Sequence, residues 1–232
     1  MAKPESNVDR LYHQLRRMAA NFDFKPDERI NESALANQLG ASRTPIREAL
    51  NRLVAEGFLT FQGGRGFFCR PLSPKRILDL YEARSAIESE GIRRACERAS
   101  DTEIDALLRY LDATEPTYDT CDDPIDLLGM DEEFHMRLIR LSGNDELVRM
   151  LENLNGRVRY VRLINLRYLR SDPSTSAKNP ALLSAHRKIL MALAQRDEVA
   201  AVQAIRDHIE RRREETTEAV RIAFSQLYVP TG

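Results

Sequence analysis

An acid and a histidine stand four residues apart in GMDEEFHMRLIRLSGN, residues 129–144: Asp131 and His135. On a helix this spacing puts both side chains on one face, a turn apart. Alone, the pair reads as a solvated polar face. The chain has four histidines, and two more of them, His186 and His208, lie in SAHRKILMALAQRDEVAAVQAIRDHIE. Their midpoint is Asp197, in the polar turn QRDE between two helical stretches. In an antiparallel helical hairpin, residues equidistant from the turn sit at the same height, so both imidazoles can converge on one interior point. Three imidazoles and one carboxylate from three helices form a reasonable set for a divalent ion. The same residues also suit a polar surface or hydrogen-bonded core histidines. Such ligation admits zinc, nickel, manganese or iron, with zinc and nickel favoured.

These residues need helices to hold them. From Ser73-Pro74 onward the pattern gives helical stretches at about 74–99, 101–114, 122–141, 145–170, 179–195 and 198–226, and no convincing strand. Ser100 and Glu103 have the spacing of a capping box, and SDPSTSAKNP, from Ser171 to Pro180, is the clearest loop. Six helices with short connections imply an antiparallel bundle over 73–232. Residues 1–72 read differently. Val8, Leu11, Leu15 and Met18 form a helical stripe. NESALANQLG is a short helix ending at Gly40, and SRTPIREALNRLVAEG a second one, with Ser42 as its cap. Two aromatic, β-prone runs around Gly63-Gly64-Arg65-Gly66 then signal a hairpin. Helix, short turn, helix and hairpin make a winged helix-turn-helix. The fold class expected is mostly α, with this head in front of a six-helix bundle.

Composition sets bounds on the rest. Apolar residues are 42% and charged residues 31% of the chain, which reads as globular and helix-rich. No stretch is long and apolar enough to span a membrane, and no secretory signal is visible, so a cytoplasmic, nucleoid-associated protein is expected. Cys69, Cys96 and Cys121 are few and widely spaced, which excludes a disulfide scaffold and a thiolate metal site. Residues 1–72 carry 11 Lys+Arg against 8 Asp+Glu, whereas the remainder carries 24 against 28. A basic head on an acidic body hints at an anionic polymer as partner.

In a helix-turn-helix the start of the second helix enters the major groove. Here that start is Ser42-Arg43-Thr44-Pro45-Ile46-Arg47. Arg43 and Arg47 share a face while Ile46 and Leu50 point to the core. Arginine forks onto guanine edges or phosphates, and the Thr44 hydroxyl suits either. Gly64 and Arg65 at the wing tip offer close backbone approach and one cation, which suits the minor groove.

The stretch NESALANQLGASRTPIREALNRLVAEGFLTFQGGRGFF resembles the head of GntR-family bacterial transcription regulators, and the helical remainder resembles the FadR-type branch with an FCD domain. The resemblance implies DNA contacts at Arg43, Thr44, Arg47 and Gly64. It departs at Ser33, where some relatives have an arginine, and at Gly63, where some have a histidine; the operator sequence is left open there. It also matches the metal-binding subset of the FCD domain at Asp131, His135, His186 and His208. From spacing alone, Arg84 pairs with Glu88 on the surface. The resemblance instead implies that Arg84 faces an effector cavity and holds a carboxylate. The function expected is a ligand-responsive regulator, a homodimeric repressor of a metabolic operon on double-stranded operator DNA, with a divalent metal and a small organic acid in the bundle. The alternative is a helical-bundle metalloenzyme with an accessory head. A third reading makes the ion itself the signal.

Overall fold

The computed structural model describes residues 6–171 and 180–228. The chain divides into two compact units. One comprises residues 1–73, Gly156–Tyr160 and 224–232; the other comprises Pro74–Asn155 and Val161–Ala223.

The first unit carries α1 (Asn7–Ala20), α2 (Glu32–Gln38), α3 (Arg43–Ala55), β1 (Leu59–Gln62) and β2 (Gly66–Cys69). α1 is capped by Ser6, whose hydroxyl accepts from the Asp9 amide. Leu11 and Leu15 are fully buried as the stripe requires, but Val8 and Met18 are half-buried. Tyr12 and Ala19 complete the buried face, so it is turned by one position from the expected stripe. The Asn31 side chain caps α2, and Gly40 follows that helix with φ 61°. A positive φ of this kind is adopted at low cost by glycine. Ser42 does occupy the cap position of α3, yet its exposed hydroxyl makes no capping hydrogen bond. β1 and β2 pair antiparallel from Leu59 opposite Cys69 to Gln62 opposite Gly66. Residues 21–30 join α1 to α2 and add a bridge from Arg29 to Phe68. A one-residue bridge has no periodicity, so the sequence carries no sign of it.

The second unit is built from α4 (Pro74–Arg98), α5 (Asp101–Thr120), α6 (Pro124–Arg140), α7 (Asp145–Ser171) without Gly156–Tyr160, α8 (Pro180–Ala194) and α9 (Glu198–Tyr228) as far as Ala223. The capping box at Ser100 and Glu103 is present. α5 continues past the expected end at 114, through Pro116. Proline removes one helical hydrogen bond, but the buried Tyr118 anchors the following turn, and the hydroxyls of Thr114 and Thr120 donate to nearby carbonyls. Within the expected loop from Ser171 to Pro180, residues 172–179 lie outside the described residues, while Ser171 and Pro180 are helical. Between α8 and α9, Arg196 turns the chain at φ 58° and Asp197 caps α9 by accepting from the Ala200 amide at 3.0 Å. The midpoint of the two histidines therefore falls in the turn.

Two glycines mark close packing. Inside the first unit, a Cβ at Gly156 would meet the Phe58 ring at 2.8 Å. In the second, a Cβ at Gly91 of α4 would meet Ile139 of α6 at 2.9 Å, and Ile139 is itself buried. Alanine is the better helix former by about 1 kcal/mol, but overpacking a tight contact costs roughly 1–3 kcal/mol. Gly91→Ala should therefore destabilise the protein in urea unfolding, in spite of its gain in helix propensity. A midpoint at or above that of the wild type would show that α4 and α6 do not need this approach.

Candidate metal centre and nucleic-acid face

Asp131 and His135 on α6, His186 on α8 and His208 on α9 meet in the second unit. All four are buried, and one ligand atom from each lies within 4.8 Å of the others. His135 Nε2 stands 3.1 Å from His208 Nε2. His186 Nε2 stands 3.4 Å from Asp131 Oδ1, and neither of these enclosed atoms makes a hydrogen bond. The His186 ring stacks on Phe134, with centroids 4.0 Å apart. Lone pairs crowded together in a dry interior need a proton or a cation between them. Three imidazoles and a carboxylate suit an ion of intermediate hardness, so these residues fit a divalent metal.

The surroundings shift three of the four donors, Asp131, His186 and His208, from their ordinary values. Burial pushes His186 down to about 4, against the pull of Asp131. Burial and the other two imidazoles push His208 well below the usual histidine range. Neutral rings keep their lone pairs. Burial alone would raise Asp131, but the Arg162 guanidinium and the nearby histidines outweigh it and hold the carboxyl well below its ordinary value.

Two residues of the centre went unread in the sequence. Arg162 on α7 is buried and donates through Nη2 to Asp131 Oδ2. It sits among several other arginines of the same helix, so no spacing singles it out. Glu88 on α4 was visible only as the partner of Arg84, and the surface ion pair expected there lies in the interior. Arg84 is 1% and Glu88 2% exposed. Arg84 Nε donates to Glu88 Oε1 at 2.5 Å, and Arg84 Nη2 makes no hydrogen bond. Burial pushes Glu88 up, yet Arg84 and His135 outweigh it and bring the carboxyl to about 2. Beside Asp131 opens a cavity whose polar lining includes Arg162, Arg212, Asn165, Tyr81 and Thr216. Arg84 is not among the residues that line it.

In the first unit, Arg43, Thr44 and Arg47 are exposed at the start of α3, while Ile46 and Leu50 are fully buried. Arg47 Nη1 is 3.9 Å from Glu32. In the wing, Gly64 has φ 73° and open space where a Cβ would be. Arg65 is exposed, its guanidinium carbon 5.2 Å from the Phe68 ring centroid. Phe61, which the sequence reading did not single out, is 47% exposed on β1. No helix among the described residues is long and apolar enough to cross a membrane.

Comparison with known proteins matches these two units. Residues 7–69 match the family of bacterial regulatory proteins called gntR, and residues 79–211 match the FCD domain. The chain is 38% identical to the Nta operon transcriptional regulator of Aminobacter aminovorans, over 91% of this chain and 95% of that one. It is 27% identical to the HTH-type transcriptional repressor GlaR of Escherichia coli, over 85% of this chain and 90% of that one. Among solved structures, E. coli McbR/YncC is similar with a TM-score of 0.65 at 21% identity, covering 96% of this chain and 97% of that one. That likeness carries the fold alone.

The charge states dictate a dependence on acid. His186 titrates near 6.5 when unfolded and near 4 when folded, so its neutral form contributes stability that is complete above about pH 6.5. That contribution is lost as the pH falls toward 4, and His208 acts in the same direction. The depressed carboxyls of Glu88 and Asp131 withdraw theirs below the ordinary carboxylate range. The melting temperature of chelator-stripped protein should fall steadily from pH 7 to pH 4.5. A flat profile over that interval would contradict the buried, neutral imidazoles.

Proposed function

Since the chain belongs to the gntR family of bacterial regulatory proteins and carries an FCD domain, which makes it a transcriptional regulator rather than an enzyme, we propose that it is a ligand-responsive repressor of a metabolic operon. In this reading residues 1–72 bind operator DNA, and residues 73–232 house a divalent metal and a small carboxylate effector and join two chains in a homodimer. It acts in the cytoplasm, at the nucleoid. Relatives named for repression and for control of an operon support this direction.

The observation that carries the reading is the set of four buried donors that converge on one point. Asp131 faces Arg162 and Glu88 faces Arg84, so these four interior charges cancel. A divalent ion bound by neutral imidazoles would add two positive charges, and an anion is the natural counterpart. The ion itself would supply Lewis acidity and an open position for a carboxylate oxygen. The effector would lie in the cavity beside Asp131, with Arg162 and Arg212 as its cationic walls. Arg84 does not line this cavity, so the carboxylate contact proposed for it, through Nη2, would need the ligand to reach beyond the cavity. On the DNA side, Arg43, Thr44 and Arg47 would meet the major groove, and Gly64 and Arg65 the minor groove or its phosphates.

One binding experiment tests both ends. Operator sites selected from random DNA by the full chain are titrated by fluorescence anisotropy, with and without a library of small organic acids. Arg43→Ala and Arg47→Ala should each cost roughly 1–3 kcal/mol in operator affinity. Arg162→Met should bind operator but lose the response to the acid that shifts the wild type. Undiminished operator affinity in both head variants would remove α3 as the reading helix. A full response in Arg162→Met would remove the cavity as the effector site.

A further inference from the structure

Among the described residues, Glu88 is the one buried carboxylate besides Asp131. It belongs to none of the four donors, yet it touches one of them. Its Oε1 accepts from Arg84 Nε, and its Oε2 lies 2.5 Å from His135 Nδ1. An ionised carboxylate can only accept, so Nδ1 carries the proton and donates it to Glu88. With that proton on Nδ1, Nε2 is the ring nitrogen left to offer a lone pair to an ion. That is the nitrogen 3.1 Å from His208 Nε2, at the convergence of the four donors.

The backbone is arranged for this contact. Glu88 and Gly91 are three apart on α4, and His135 and Ile139 are four apart on α6. The bare Gly91 backbone lets Ile139 come close, one turn along from the carboxylate and its imidazole. The Arg84 guanidinium, fully enclosed, supplies the counter-charge that makes a buried carboxylate tolerable.

We infer that Glu88 is a positioning residue of the metal centre: it holds His135 in the tautomer and orientation that present Nε2 to the ion, with Arg84 as its charge partner. The inference rests on the reading of the four donors as a metal site and adds to it an outer carboxylate. Outer partners of this kind change metal affinity by about 10- to 100-fold when removed. Arg84 thereby acquires a duty that is independent of any effector, because its Nε is committed to Glu88.

The test uses the full chain as wild type, Glu88→Gln, and the double variant Glu88→Gln with Arg84→Gln. Zn2+ affinity is measured by competition with a chromophoric chelator, and Co2+ serves as a spectroscopic probe of ligand geometry. Glu88→Gln strands the Arg84 charge, so its melting temperature should fall. The double variant removes both charges and should regain most of the metal-free melting temperature. Both variants should bind Zn2+ about 10- to 100-fold more weakly and give altered Co2+ absorption bands. Wild-type Zn2+ affinity and Co2+ bands in the double variant would overturn the inference and leave Glu88 a structural ion pair. Absence of Zn2+ and Co2+ binding in the wild type would overturn the metal reading, and the inference with it.

Discussion

Three imidazoles and a carboxylate share one buried volume in the second unit, and the surrounding structure answers to that crowding. Lone pairs that face one another without a positive occupant cost roughly 1–3 kcal/mol for each group left unsatisfied. The fold nevertheless brings them together from three helices. The i,i+4 register of α6 aligns Asp131 with His135. The turn at Arg196-Asp197 folds α8 onto α9 so that His186 and His208, equidistant from it, stand with ring centroids 4.8 Å apart. Gly91 admits α6 to α4, and that approach delivers Glu88 to the far side of His135.

The charges around the donors follow from the same constraint. A carboxylate this deep is kept ionised only by a cation beside it. Asp131 has Arg162 and Glu88 has Arg84, and each pair is internal to the second unit. The cavity opens on the Arg162 side, where Arg212, Asn165, Tyr81 and Thr216 offer further polar groups. A ligand can bias a regulator only by its differential affinity for two states. A site that exposes a guanidinium to a cavity, and would gain two positive charges with a divalent ion, would have the means to hold an anion. The DNA end answers to a simpler constraint: Ile46 and Leu50 fix which side of α3 is buried, and Arg43 and Arg47 are left facing out.

Much of this was legible in the sequence because it rests on periodicity and symmetry. The spacing of Asp131 and His135, and the midpoint of His186 and His208 in a polar turn, are one-dimensional facts that allow convergence, and the fold selects it over a solvated face. The winged head was legible from its glycines and its aromatic runs, whereas the side chains that cap α1 and α2, Ser6 and Asn31, were not read. What was hidden has no period. The bridge at Arg29 is one residue long. α5 outruns Pro116 because Tyr118 is buried beyond it, and burial of a single ring cannot be read locally. The Arg84–Glu88 pair has the spacing of a surface ion pair, and its depth depends on which side of α4 meets α6. Arg162 is one arginine among several on α7, and only its partner, Asp131, distinguishes it.

The role of the second unit turns on whether the buried donors hold a metal ion. Elemental analysis of the full chain purified without chelator, combined with X-ray absorption at the edge of the element found, tests it most directly. It should find about one divalent ion per chain, bound by nitrogen and oxygen that include several imidazoles, and by no sulfur. Protein that is free of metal, and whose melting temperature is unchanged by added Zn2+ or Ni2+, would contradict it.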